Sequence, residues 1–274
     1  MEFKRLANGL MMPVLGMGTW EMGGRQTPDS ANDSKEINAL RTGIDLGMTL
    51  IDTAEMYASG HAEELVGEAI KPYKRDDVFI TTKVWSTNLR FNDLVSAMKG
   101  SLKRLGLSYV DLYLVHWPNP QIPLKETMSA LEYCVEEGYT RSIGVSNFSA
   151  VLLLEAQSYL RRHLLVADQV HYNLIEQSPR EDLLPYCEKN GVIVIAYRPL
   201  EKGQLSGKRN SVLDALATKY NKTRAQVCLN WLISQKNVVA IPKASRLEHL
   251  KENLWAVGWN LNDEDAARLG ESFR

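Results

Sequence analysis

Val78-Phe79-Ile80-Thr81-Thr82-Lys83-Val84, then Leu94, Met98, Leu102 and Leu105 at helical spacing, then Val110-Asp111-Leu112-Tyr113-Leu114-Val115-His116, reads as strand, helix, strand. Apolar runs joined by an amphipathic helix are the mark of a βαβ unit and a parallel sheet. Working outward, the same alternation recurs. Strands are expected at 14–20, 49–53, 142–147, 166–170, 192–197 and 238–243, which with 78–84 and 110–116 makes eight. Further helical sets are Ile37, Leu40 and Ile44; Leu124, Met128, Leu131 and Val135; and Leu247, Leu250 and Leu254. Ser34, and Asn221 with Thr223, are placed to start helices, and Gly47, Gly138 and Gly191 to end them. No linker or composition shift divides the chain, and 203–210 is the strongly loop-like stretch late in it. The expected fold class is α/β, a (β/α)8 TIM barrel forming a single domain over residues 1–274. An open doubly wound sheet is the competitor, but its G-x-G-x-x-G turn is not met, since Glu21 stands where a third glycine would follow Gly16 and Gly18.

Composition narrows the partners. A net charge of -1 leaves no basic footprint for nucleic acid, and no acidic run suggests a tail. Cys134, Cys187 and Cys228 are far apart and in no CxxC or Cys/His cluster, so neither a disulfide framework nor a zinc site is indicated. Glu2, Lys4 and Arg5 interrupt the N-terminus, which argues against a signal peptide, and the longest apolar stretches are far shorter than the ~20 residues of a membrane helix. The expectation is a cytoplasmic protein with no nucleic-acid or membrane partner, monomeric or weakly homo-oligomeric, acting on a small molecule.

A polar residue that closes an apolar strand of a parallel barrel stands at the mouth where active sites are built. Nearly every expected strand ends that way: Asp52, Lys83, His116, Ser146 with Asn147, Gln169, Tyr197 and Lys243. Taken singly each has an ordinary structural reading: Asp52 as a cap, Lys83 as a snorkelling surface lysine, His116 as a hydrogen-bonded core residue, Tyr57 as a loop aromatic on the rim. Together they are harder to dismiss, because charges at adjacent buried strand ends are costly without pairing.

Six segments then carry a resemblance: Gly16-Met17-Gly18-Thr19-Trp20, Asp52-Thr53-Ala54-Glu55-Met56-Tyr57, Thr82-Lys83-Val84-Trp85, Asp111-Leu112-Tyr113-Leu114-Val115-His116-Trp117-Pro118, Gly144-Val145-Ser146-Asn147-Phe148 and Ile241-Pro242-Lys243. In that order, across essentially the whole chain, they resemble the successive signatures of the aldo-keto reductase superfamily, in its prokaryotic-type form with a short C-terminal loop. The resemblance implies NAD(P)H-dependent reduction of aldehydes and ketones, with a catalytic tetrad falling on Asp52, Tyr57, Lys83 and His116. A phenol of unperturbed pKa near 10 is a poor acid at neutral pH. The expectation is therefore that Lys83 lowers the pKa of Tyr57, that Asp52 holds Lys83, and that His116 hydrogen-bonds the carbonyl oxygen.

For the cofactor the resemblance implies that Ser146, Asn147 and Gln169 hold the nicotinamide carboxamide, that Tyr197 stacks on the ring, and that Glu252 and Asn253 face the adenine. Further contacts are implied for Gly18, Thr19, Trp20, Asp52, Arg198, Pro199, Leu200 and Ala244. Lys243 and Ser245 lie where the family grips the 2′-phosphate, favouring NADPH with NADH possible, although His249 replaces the arginine many members carry six residues on. Arg246 is either a substitute charge or a solvated residue of the first helical turn, and Arg198 stands where the family usually has serine. Trp20, Met56, Tyr57, Trp85, His116 and Trp117 are the expected substrate contacts, in a pocket left open by the short C-terminus. Two rivals are weighed against this. One is a regulatory nicotinamide-binding barrel without turnover, against which an intact tetrad argues. The other is a metal-dependent barrel hydrolase or isomerase, which the five histidines, with no His-x-His or His-x-x-x-His pair, do not favour; no metal is expected.

Overall fold

The computed structural model describes residues 1–207 and 210–274. An antiparallel pair, β1 (Phe3–Arg5) and β2 (Met11–Pro13), precedes eight parallel strands: β3 (Gly16–Gly18), β4 (Leu50–Asp52), β5 (Phe79–Val84), β6 (Leu112–Val115), β7 (Ile143–Ser146), β8 (Leu165–His171), β9 (Ile193–Tyr197) and β10 (Val238–Ala240). Each pairs with its neighbour in sequence order. The sheet rounds on itself where Leu15 bridges Ala240 in parallel, with the Ala240 N–H donating to the Val14 carbonyl at 3.0 Å. All eight expected strands are present, seven of them shorter than the apolar runs suggested and β8 longer at both ends. The stretch 238–243 stops at Ala240 because Pro242 has no N–H to continue the ladder; its carbonyl instead accepts the Gly18 N–H at 3.2 Å.

Between the strands lie α1 (Asp33–Asp45), α2 (His61–Ile70), α3 (Phe91–Leu105), α4 (Leu124–Glu136), α5 (Ala150–Tyr159) and α6 (Leu183–Asn190), followed after β9 by α7 (Gln204–Gly207), α8 (Ser211–Tyr220) and α9 (Arg224–Ile233), and after β10 by α10 (Leu247–Leu254) and α11 (Asp263–Glu271). The expected loop at 203–210 is therefore helical over Gln204–Gly207, while Lys208 and Arg209 lie outside the described residues. Two helix-start assignments change. Asn32, not Ser34, occupies the cap position of α1, and Asn221 ends α8 in a left-handed conformation (φ 52°) rather than starting α9. Thr223 does start α9, through a capping box in which its hydroxyl accepts the Gln226 N–H and the Gln226 side chain accepts the Thr223 N–H. Gly191 ends α6 at φ 70°, where a side chain would be strained.

Alternation along each strand sorts the core into two shells. Leu50, Phe79, Leu112, Leu114, Ala167, Ile193, Ile195 and Val239 pack inside the barrel, joined by Met12 of β2 and by Leu6 just after β1, so that the N-terminal hairpin plugs the end opposite the mouth. The larger cluster fills the space between sheet and helices, with Ile51, Ile80, Tyr113, Val145 and Val194 facing Leu40, Val66, Met98, Leu131 and Val227. At Gly144 an added Cβ would lie 2.5 Å from the Ala167 carbonyl oxygen, beside the register shift between β7 and β8, so only glycine fits.

Asp168, on β8, is fully buried, and neither carboxyl oxygen has a partner at hydrogen-bond geometry among the described residues. Burial pushes its pKa up to about 8, with the Phe148 N–H opposing only in part. An unfolded aspartate ionises near 3.9, so across the window from about pH 4 to about 8 the unfolded chain loses a proton that the folded chain keeps, and folding stability falls as pH rises. Asp168→Asn removes this slope. Denaturant titrations at pH 5, 6.5 and 8 should show wild-type stability falling relative to the variant by roughly a kcal/mol per pH unit. Parallel pH curves for the two proteins would show that Asp168 is ionised in the fold.

Candidate active site

Asp52 closes β4, Lys83 lies near the end of β5, and His116 follows β6, so three adjacent strands deliver three polar side chains to one end of the barrel. The segment after Asp52 is sewn onto β5: the Thr53 N–H donates to Thr81 O at 2.9 Å and the Glu55 N–H to Lys83 O at 3.2 Å. Tyr57 then opens a short 3-10 turn, Tyr57–Gly60, in which Ala58 (φ 48°) and Ser59 (φ 53°) are left-handed. Each costs of order 1–2 kcal/mol, opposed by bonds from the Ala58 N–H to Arg25 O (3.3 Å) and from the Ser59 hydroxyl to Gln26 O (2.8 Å). This turn is what aims the phenol back over β5.

The Lys83 ammonium donates to Asp52 Oδ1 at 2.7 Å, to Thr53 O at 2.8 Å and to the Tyr57 hydroxyl at 3.1 Å. Gln169 Nε2 donates to the other Asp52 oxygen at 2.7 Å. Burial works against the Lys83 charge, yet Asp52 and Tyr57 together outweigh it and hold its pKa above the ordinary lysine value. Burial likewise raises the Asp52 carboxyl, offset in part by Lys83 and Gln169. With the Thr53 carbonyl and the Gln169 amide completing both partners' hydrogen bonds, the charged pair is the state that fits the geometry.

At Tyr57 the expected influence of Lys83 is present but is not the largest. Lys83 does pull its pKa down, but burial raises it more and Asp52 adds to the rise, so the net direction is up and the phenol is neutral at rest. The His116 ring stands 5.5 Å from that of Tyr57, centroid to centroid. Burial, with the Lys83 charge beside it, drives the His116 pKa down to about 2, so the imidazole is neutral. Its Nδ1 is enclosed without a partner among the described residues, which favours an Nδ1 lone pair over an orphaned N–H and puts the proton on Nε2.

These groups open onto a cavity of about 830 Å³. Of the residues expected to hold a cofactor, Gly18, Trp20, Asp52, Ser146, Asn147, Gln169, Tyr197, Arg198, Pro199, Leu200, Lys243, His249, Glu252 and Asn253 line it, as do the expected substrate contacts Met56, Tyr57, Trp85, His116 and Trp117. Thr19, Ala244 and Ser245 do not. Thr19 is fully buried with its hydroxyl donating to Asp52 O at 3.0 Å, tying β3 to β4, and Ala244 turns into the hydrophobic core. Glu21, Lys202, Gly203, Ser206, Ala225, Ile241 and Pro242 line the cavity without having been foreseen. Ile241 and Pro242 belong to a quoted motif, and the 202–206 stretch follows a barrel strand, the one signal that pointed to it.

One hydrogen-bonded chain crosses the cavity floor. The Tyr197 hydroxyl donates to Asn147 Oδ1 (3.0 Å), Asn147 Nδ2 donates to the Ser146 hydroxyl (2.9 Å) and to His116 O (3.0 Å), and the Ser146 hydroxyl donates to Gln169 O (2.7 Å). Through Gln169 this chain reaches Asp52. His171 stacks beside Tyr197, ring centroids 5.4 Å apart and planes 9° from parallel. Arg198 is left-handed (φ 50°), its carbonyl held by Asn173 Nδ2 and by the Glu201 N–H, both at 2.9 Å. Arg246 is not simply solvated: its guanidinium donates to His249 Nε2 at 2.7 Å.

A positioned neutral phenol beside an ammonium, a neutral imidazole donor, and a cavity carrying the cations Arg198, Lys202 and Lys243 can give a proton to an oxygen and hold a phosphorylated ligand next to it. Comparison with known proteins agrees in kind. Residues 14–273 match the model of the Aldo/keto reductase family. The methylglyoxal reductase YeaE of Escherichia coli (strain K12) is 37% identical over 272 residues, covering 98% of this chain and 94% of that protein. A crystal structure of a thermostable aldo-keto reductase in complex with the inhibitor epalrestat superposes with a TM-score of 0.96 at 48% identity, covering 99% of this chain and all of that one. An aldo/keto reductase from Klebsiella pneumoniae, crystallised with NADP and acetate, superposes at 0.88 with 38% identity over 99% of this chain and 95% of that one.

Proposed function

The chain belongs to the aldo/keto reductase family, and from that premise we propose that it is a single-domain, cytoplasmic reductase of small aldehydes and ketones that prefers NADPH. The observation that carries the reading is the buried contact of Lys83 with both Asp52 and Tyr57 at the cavity wall. The cavity suits a nicotinamide dinucleotide, with amide and hydroxyl groups at Ser146, Asn147 and Gln169, a half-buried ring at Tyr197, and cations at Arg198, Lys202 and Lys243. Ser146, Asn147, Gln169 and Tyr197 would hold the nicotinamide, Gly18, Trp20, Pro199 and Leu200 the walls around it, Arg198 the pyrophosphate, and Glu252 and Asn253 the adenine. Lys243 would hold the 2′-phosphate, with Arg246 beside it in place of the arginine for which His249 stands. When bound, the reduced cofactor supplies a hydride to the carbonyl carbon.

Tyr57 gives the oxygen its proton. Being neutral at rest it carries the proton ready, and Lys83 acts where it matters, on the phenolate that forms as the proton leaves. The Nε2–H of His116 donates to the same oxygen as charge gathers there, and being neutral it does not compete with Tyr57 as the source of the proton. Trp20, Met56, Trp85 and Trp117 form an apolar wall for the carbonyl substituent, and the name of the Escherichia coli relative supports short dicarbonyls as one substrate class.

The test is to mix the protein with NADPH or NADH and either methylglyoxal or an activated aromatic aldehyde, with and without chelator, and to follow loss of reduced-nicotinamide absorbance. Turnover indifferent to chelator and faster with NADPH is expected. Lys243→Ala should raise the NADPH dissociation constant about tenfold to a hundredfold, the worth of a charge-assisted phosphate contact, and that of NADH little. Absence of turnover with every aldehyde would sink the reading, and equal cofactor affinities unchanged by the substitution would remove Lys243 from phosphate recognition.

A further inference from the structure

The sheet ladder ends at Val84, whose carbonyl accepts the His116 N–H at 3.0 Å, so the next amide, that of Trp85, has no strand partner. Glu55 takes it. Its Oε1 accepts the Trp85 N–H at 2.6 Å and Asn88 Nδ2 at 3.0 Å, gripping both ends of the 3-10 turn Ser86–Asn88, while its own N–H is bonded to Lys83 O. This half-buried carboxylate forms no ion pair among the described residues, so its charge is spent on these two donors, and charge-assisted bonds are about twice as strong as neutral ones. The turn it holds carries the Trp85 indole, set edge-on to His116 with centroids 5.2 Å apart and lining the cavity. Glu55 lies two residues before Tyr57, outside the Tyr57–Gly60 turn that aims the phenol.

We infer that Glu55 is a positioning residue that fixes the Trp85 indole beside His116 and so presents it as a rigid wall to an aromatic carbonyl substituent. The inference rests on the proposed carbonyl-reductase reading, under which the reacting oxygen lies between Tyr57 and His116. Glu55 itself touches neither substrate nor cofactor. Its removal should therefore separate substrates by size and leave the proton-transfer groups intact.

The test is steady-state kinetics at saturating NADPH with methylglyoxal and with an aromatic aldehyde, for Glu55→Gln, Glu55→Leu, Trp85→Ala and the Glu55→Leu/Trp85→Ala pair. Glu55→Gln, which keeps an Oε1 acceptor, should stay within about threefold of wild type, whereas Glu55→Leu should raise KM for the aromatic aldehyde about tenfold, the scale of one lost aromatic contact. Its kcat for methylglyoxal should hold within about twofold, and the double variant should match Trp85→Ala alone, as a residue acting only through Trp85 requires. Should Glu55→Leu not fold, Glu55→Asp, which withdraws the carboxylate by one methylene, should shift KM in the same direction. A second readout needs no turnover: the fluorescence difference between a protein and its Trp85→Phe counterpart isolates the Trp85 emission, which should move toward that of a solvated indole in Glu55→Leu and Glu55→Asp and stay near wild type in Glu55→Gln. Additive effects in the cycle, equal KM changes for both substrates, or an unmoved Trp85 emission in Glu55→Leu would overturn the inference.

Discussion

Tyr57→Phe is expected to lower kcat by roughly 10² or more, the usual scale for a positioned acid, while NADPH binds nearly as before. The substitution deletes one oxygen and keeps the ring, whose edge contacts with Trp20 at 5.0 Å and His116 at 5.5 Å hold it in place. What is lost is the hydroxyl that faces Lys83 at 3.1 Å. Single-turnover reduction with prebound NADPH, beside a fluorescence titration of the cofactor, separates the two effects. Because the net shift of Tyr57 is upward, its proton is present throughout the neutral range, so wild-type kcat for reduction should stay level toward the ordinary tyrosine value near 10 and fall only beyond it. His116, with its pKa at about 2, should add no step in that range. A Tyr57→Phe variant with normal kcat would take the phenol out of the mechanism.

What the sequence made legible was whatever the barrel geometry forces into a pattern. Asp52, Lys83, His116, Ser146, Gln169 and Tyr197 could be picked out because each interrupts or closes an apolar run, and a parallel barrel turns that linear sign into one mouth. The same logic found the eight strands but misjudged their ends, since the regular ladder thins before the apolar run does, as at Val110, which keeps an isolated bridge to Thr140, and Ile241, whose N–H makes a last bond to Ala196 O before Pro242. The N-terminal pair β1 and β2 carries no such sign: three residues a side is too short for alternation to register.

Relations between side chains were less accessible than their identities. That Gln169 reaches Asp52, or that Arg246 donates to His249, depends on which atoms meet once the chain is folded. The net direction at Tyr57 was out of reach for a related reason. The charge of Lys83 is visible in the sequence, but the burial that outweighs it is not. Ala58 and Ser59, left-handed without being glycine, also escaped notice, because their cost is carried by Arg25 and Gln26, far back along the chain.

Lys83→Met is the sharper test, because it removes the group that joins the other two. Turnover should fall by roughly 10²–10³, since the phenolate forming at Tyr57 loses its neighbouring cation while Asp52 is left as a buried charge with only Gln169 beside it. Orphaning a buried charge also destabilises, by about 3–5 kcal/mol, so the single variant alone does not separate chemistry from folding. The double variant Lys83→Met/Asp52→Asn does. It removes the stranded charge and should recover much of the stability, measured by denaturant unfolding, while turnover stays at the level of Lys83→Met. Recovery of stability and turnover together would mean that the ion pair serves the fold alone, and that Tyr57 gives up its proton without help from Lys83.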